Sequence, residues 1–174
     1  SITDKGAEST IKALSLGAVD FILKPNLKEQ SEFDSFADDL IEKVIGISRL
    51  KCQKRLKQPD ASFSADVIIP KKLPNKDMIK SNSLVAIGAS TGGTEVIADI
   101  ITKLPENAPG ILITQHMPEK FTKSFAERIN GLSKVHVKEA ENRDRVYRGA
   151  VLIAPGGKHM LLKSDNNGGY VVEV

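Results

Sequence analysis

The sequence predicts an α/β fold in two unequal parts, and three observations predict it. From position 84 onward, compact apolar runs alternate with segments of helical spacing, the order expected of a parallel sheet covered by helices. Before position 56 a helix, strand, helix unit is legible, too small to close a core by itself. Between the two, Pro59, Pro70 and Pro74, with lysines and small polar residues, break every period. The expected division is residues 1–55, a linker at 56–83, and residues 84–174.

Each element follows from its pattern. Ala7, Ile11, Ala13 and Leu14 give a short helix over 5–16, closed by Gly17, which takes the left-handed conformation cheaply. Asp20-Phe21-Ile22-Leu23 reads as a buried strand stopped by Lys24-Pro25, and Phe33, Phe36, Leu40, Val44, Ile47 and Leu50 mark one face of a helix over about 32–53. Inside the linker, Val67-Ile68-Ile69 is an apolar patch able to dock on either neighbour. Then come a strand at 84–89, a helix at 92–103 built on Val96, Ile97, Ile100 and Ile101, a strand at 110–114, a helix at 121–129 and a strand at 135–138. The remainder, 150–174, reads as short strands joined by glycine-rich turns.

Composition bounds the function classes. With 174 residues, 40% hydrophobic and 27% charged, the chain is globular rather than disordered. Its longest apolar runs are strand-sized, which excludes a membrane-spanning helix of about 18 residues or more. The single Cys52 has no partner in the chain and no secretion signal opens it, so a cytoplasmic location is expected. A net charge of +3 is too small to demand nucleic acid. The basic run Arg49, Lys51, Lys54, Arg55 and Lys57 suits a helix C-terminus, where the dipole favours cations. One cysteine and three scattered histidines offer no metal-ligand spacing. The chain opens on Ser1 without a methionine and stops in the alternating run 170–174, so both ends are expected to be cut from something longer.

The sharpest chemical signal is Gly88-Ala89-Ser90-Thr91-Gly92, a G-x-S-x-G match between an expected strand and an expected helix. There Ser90 Oγ would be thrust outward, while the amides of residues 91–93 open the helix without internal acceptors and suit an oxyanion. Two other readings stay open for the same turn: Ser90 or Thr91 as a helix cap, or a phosphate cradle, although neither phosphate-loop pattern is complete. His116, in Gln115-His116-Met117-Pro118, favours the nucleophile. If strands 84–89 and 110–114 are parallel neighbours, their ends lie about 4.8 Å apart, and a His base within reach activates a serine toward an ester or amide. No triad acid is evident, because Asp99, Glu139, Glu141, Asp144 and Asp165 all read as solvated surface. His136 reads as a strand exterior, and His159 as a loop or substrate-rim residue.

Together these residues resemble the chemotaxis protein-glutamate methylesterase family, CheB. The resemblance runs through 85–95, 113–118, 121–126, 137–140 and 153–156, in order and spacing, and upstream through 3–8 and 14–25. It implies the C-terminal part of a receiver (flavodoxin-like) domain, a linker, and the N-terminal half of a parallel-sheet α/β methylesterase domain. It implies Ser90 as nucleophile, His116 as general base, Thr91 as oxyanion support and Lys24 as the receiver's switch lysine. The implied reaction hydrolyses glutamate γ-methyl esters on chemoreceptors, and deamidates specific receptor glutamines, without a catalytic cofactor. The implied phosphodonor is the chemotaxis histidine kinase, with Mg2+ needed only to phosphorylate an intact receiver. The phosphoacceptor and the catalytic aspartate would lie before Ser1 and beyond Val174, so the isolated chain is expected to be a poor esterase. A phosphorylation-controlled interaction module without catalysis, a nucleotide-binding domain and a DNA-binding regulator are the competing classes.

Overall fold

The computed structural model describes residues 4–25, 30–49 and 83–174. The expected linker lies outside the described residues except for Ser83, as do Cys52 and most of the basic run. In chain order the elements are α1 (Asp4–Ser15), α2 (Gln30–Ser48), β1 (Leu84–Ala89), α3 (Gly93–Thr102), β2 (Gly110–Gln115), α4 (Phe121–Leu132), β3 (His136–Glu139), β4 (Arg145–Val146), β5 (Ala150–Ile153), β6 (Leu161–Ser164) and β7 (Tyr170–Glu173).

Four strands form a parallel sheet in the order β1-β2-β5-β3. The apolar runs decide the order of burial within it. All four residues of β5 are buried, as expected of a strand with neighbours on both sides and covered faces. β1 has one ladder partner among the described residues and leaves Val85 exposed. Its register with β2 is in phase from Leu84↔Gly110 to Ala89↔Gln115, so the two strands end level with one another.

Ile97 and Ile101 of α3, Phe121, Phe125 and Ile129 of α4, and Ile111, Ile113, Val151 and Ile153 of the sheet make one buried cluster. Burying each such side chain is worth about 1.5–3 kcal/mol. α4 runs one turn further than its apolar period predicts. A glycine inside a helix costs only about 1 kcal/mol, so Gly131 does not stop a helix whose face is already packed.

Ala7, Ile11 and Leu14 of α1 belong to the same cluster. The helix ends as its sequence demands: Gly17 has φ 118, its N–H donates to the Leu14 carbonyl at 3.1 Å, and the Ala18 N–H donates to the Ala13 carbonyl at 3.1 Å. That pair of bonds is the Schellman arrangement for a left-handed glycine after a helix.

The strand expected at residues 20–23 is not one. Among the described residues no neighbour offers it a ladder, and its apolar side chains are taken up by a helix instead: the Phe21 ring stacks on Phe121 with centroids 4.8 Å apart. Asp20 accepts from the Phe21 N–H at 2.7 Å and pairs with Lys43 of α2 at 3.1 Å. α2 itself forms where its period predicts, with positions 50–53 outside the described residues, but its apolar face is largely exposed.

β4, which precedes β5, and the two strands that follow β5 make a small antiparallel sheet in the order β4-β7-β6. The β6–β7 turn is closed by the Asp165 N–H on the Gly169 carbonyl at 2.8 Å, with Gly168 at φ 78. β4 has no sequence signal of its own. Two residues are too few to show an alternation, and only the pairing with β7 makes them a strand.

Candidate active site

Because β1 and β2 end in register, the next residue on each strand, Ser90 and His116, stand side by side. The His116 N–H donates to the Ala89 carbonyl at 2.9 Å, extending the ladder one step past the strand ends. Parallel neighbours lie about 4.8 Å apart, so the two side chains start within reach of a common substrate atom. Both are exposed, and no side-chain hydrogen bond joins them among the described residues.

The turn after Ser90 settles one open question. Gly92 is the cap residue of α3, at φ 75, and no side chain caps the helix, so neither Ser90 nor Thr91 serves that purpose. The Gly93 N–H donates to the Ser90 carbonyl at 2.8 Å. It is therefore not free for an oxyanion, contrary to the expectation for residues 91–93. The Thr91 and Gly92 amides donate to no backbone acceptor in the turn. Each glycine has its own cause. Gly92 supplies the positive φ, while a Cβ at Gly93 would fall 2.5 Å from Gln115 Oε1 and 2.6 Å from the Ala89 Cβ. Thr91 is half-buried, and a Cβ at Gly46 of α2 would lie 3.5 Å from its Cγ2, so α2 passes within van der Waals reach of the turn.

Beside the segment that carries His116 is the loop 155–159. A Cβ at Gly156 would come within 2.5 Å of the Met117 carbonyl oxygen and of Pro118, which shows how tightly that loop presses on the segment carrying His116. Between them lies a cleft of about 330 Å³ lined by His116, Met117, Pro155, Lys158 and His159, among others. His159 thus shares the cleft with His116 and is exposed in it. The loop is tied down from behind. The Gly156 N–H donates to Thr122 Oγ1 at 3.0 Å, and the fully buried Thr122 hydroxyl donates to Glu139 Oε1 at 2.5 Å.

Two residues of this frame were not singled out from sequence. Thr122 lies in a segment of the resemblance, 121–126, but nothing in the residues themselves marks its hydroxyl. Gln115 carried a signal: it stands on the parity of Ile111 and Ile113 in β2, where a polar residue on the inward face is anomalous.

The carboxylates considered as a third catalytic member sort differently from their expected roles. Asp99 is exposed and pairs with Lys103, and Asp165 lies 3.5 Å from Arg145. Glu139 is not solvated surface but the last residue of a sheet strand, bonded to a buried hydroxyl. Asp144 is half-buried; together with the exposed Glu141 it holds Lys138, and it also accepts from the Glu141 N–H at 2.7 Å. Burial works to lower the Lys138 pKa, but the bonds to Glu141 and Asp144 outweigh it and the net shift is upward. None of these carboxylates is bonded to His116 among the described residues. His136, half-buried at the start of β3, lies 3.4 Å from the Tyr147 hydroxyl. Lys24 is exposed. No three His, Cys, Asp or Glu side chains group as metal ligands among the described residues.

The geometry can now be set beside known proteins. The CheB methylesterase family model matches residues 85–173, which take in the sheet, both covering helices, Ser90, His116 and the loop 155–159. The chain belongs to the CheB methylesterase family. Over its whole length it is 43% identical to a protein-glutamate methylesterase/protein-glutamine glutaminase of Nitrosomonas europaea, of which it covers 48%, and 47% identical to one of Albidiferax ferrireducens, of which it covers 50%. It therefore spans about half the length of the curated relatives it matches. The crystal structure of the catalytic domain of Thermotoga maritima CheB methylesterase superposes with a TM-score of 0.50 at 46% identity, covering 53% of this chain and 49% of that one. Among the described residues no helix is long and apolar enough to cross a membrane.

Proposed function

We propose that the chain is part of a chemotaxis protein-glutamate methylesterase: the end of a receiver domain (1–55), a linker (56–83) and the first half of the catalytic domain (84–174). The observation that carries this reading is the level ending of β1 and β2, which places Ser90 beside His116 at the carboxyl edge of a parallel sheet and opens His116 on a cleft.

In the reaction, Ser90 Oγ attacks the carbonyl carbon of a glutamate γ-methyl ester while His116 takes its proton. The carbonyl oxygen becomes an oxyanion beside the Thr91 and Gly92 amides, at the positive end of α3. On collapse the C–O bond to the methoxy group breaks and His116 returns the proton, releasing methanol. Water, deprotonated by His116, then cleaves the acyl-Ser90 ester to give the glutamate carboxylate. A glutamine side chain follows the same course with ammonia leaving. The substrates are chemoreceptors, and the location is cytoplasmic. The acid that orients His116, and the aspartate phosphorylated by the chemotaxis kinase with Mg2+, belong to the half of the protein outside this chain.

Three contacts support a regulatory reading. α1 is buried against α4 and Phe21 stacks on Phe121, while α2 comes within van der Waals reach of Thr91 in the nucleophile's turn. Phosphorylation would weaken these contacts and free the Ser90 turn from α2, with Lys24 pairing to the phosphoryl group.

The test is methanol release from methylated receptors by the full-length protein, alongside labelling with a serine-directed acylating probe. Ser90→Ala and His116→Ala are each expected to lower turnover by roughly 10³-fold or more, and Ser90→Ala to abolish labelling. Retention of a tenth of the activity in Ser90→Ala overturns Ser90 as the nucleophile, whereas no methanol release and no labelling in the parent would leave a binding module as the better reading.

A further inference from the structure

We propose that Gln115 is a positioning residue that holds the Ser90 turn and the His116 backbone at one spacing. The inference rests on reading those two residues as nucleophile and base, and goes beyond it.

Gln115 is only 8% exposed and sits on the inward parity of β2. Its carboxamide nitrogen donates to the Ser90 carbonyl at 2.9 Å and to the His116 carbonyl at 3.3 Å. One –NH2 group thus bridges the two residues on which the chemistry depends, although they lie on different strands. The orientation of the amide is dictated by those acceptors, since turning it would set Oε1 against two carbonyl oxygens.

The other end of the carboxamide shows that stability is not the reason for it. Gln115 Oε1 is buried and has no hydrogen-bond partner among the described residues, and it rests where a side chain on Gly93 would need to be. A buried acceptor left unpaired costs about 1–3 kcal/mol, so an apolar side chain of the same length would serve packing as well or better. The Ser90 carbonyl would still receive the Gly93 N–H at 2.8 Å. What only the amide supplies is the tie between the turn and the His116 backbone. Misplacement of reacting groups by about 1 Å costs on the order of 100-fold in rate, which is the scale on which such a tie acts.

The experiment uses the full-length protein. Gln115→Met keeps the length and loses both donors; it is expected to unfold within about 3 °C of the parent, yet to lower kcat for methyl-ester hydrolysis roughly 10- to 100-fold with KM little changed. Gln115→Glu keeps the shape but sets a carboxylate against two carbonyls. Its deficit relative to the parent should shrink as pH falls and the carboxyl gains an O–H to donate. That recovery carries the test should Gln115→Met fail to fold. A kcat within twofold of the parent in folded Gln115→Met, or a Gln115→Glu deficit that ignores pH, overturns the proposal. If instead the parent shows no Ser90-dependent turnover, the catalytic reading falls by itself. The tie is then read from hydrogen exchange of the His116 amide, expected to quicken at least tenfold in Gln115→Met relative to other β2 amides, and unchanged exchange overturns it.

Discussion

Helices α4 and α2 carry the same kind of pattern and end in different environments. Phe121, Phe125 and Ile129 of α4 fall at four-residue steps and are buried to 2%, 0% and 0% exposure. Phe33, Leu40 and Val44 of α2 fall at helical steps too, and remain 47%, 39% and 57% exposed. Periodicity therefore guarantees an apolar face and leaves open what covers it. α4 has the sheet beneath it and α1 above. α2 is held by the Lys43–Asp20 ion pair and its approach to Thr91, with most of its apolar stripe in solvent.

The largest test of this contrast is a pair of truncations in this chain. Phe125→Ala should cost about 3–5 kcal/mol in urea unfolding, because it removes a fully buried ring from close-packed surroundings, while Val44→Ala should cost less than about 1 kcal/mol. A Val44→Ala cost above 2 kcal/mol would show that the α2 face is covered in solution, and the contrast would collapse. Next in size is Leu14→Ala on α1, expected at about 2–4 kcal/mol because Leu14 lies in the same cluster as Phe125. A change near zero would mean that α1 folds without docking on α4, and would remove the contact invoked for regulation.

The smallest effect is electrostatic. The Tyr147 pKa is raised, first by burial and then by Asp144, above its ordinary 10.0, as that of Lys138 is raised above 10.5. Both groups hold their protons longer folded than unfolded. The stability they contribute is complete below about pH 10 and is lost as pH rises through the folded values. The melting temperature should therefore fall more steeply above about pH 10 in the parent chain than in a Lys138→Gln/Tyr147→Phe double variant. Parallel curves would show that this corner contributes no pH-dependent stability.

Much of the fold was legible from residue order. The runs at 84–89, 110–114 and 150–153 became strands, the helices formed within a few residues of their periods, and Gly17 closed α1 through the bonds its type predicts. The strand expected at 20–23 failed because a strand needs a neighbour as well as a composition. In the candidate site, a turn pattern and a histidine one step past a strand single out Ser90 and His116, and the structure sets the two side by side. Glu139 reads as solvated in sequence because its partner, Thr122, is 17 residues away.

By itself, then, the sequence determined the helical and strand periods, the glycines of the Ser90 turn and the placing of a serine and a histidine after two strands. These depend on backbone geometry within a few residues, which side-chain type controls directly. Only the tertiary structure decided that β1 and β2 end level, that Gln115 joins the Ser90 and His116 carbonyls, that Thr122 and Glu139 anchor Gly156, and that α4 is covered where α2 is not. Each of these depends on which distant atoms arrive as neighbours. That is set by the balance of burial and hydrogen bonding over the whole chain, and no local pattern records it.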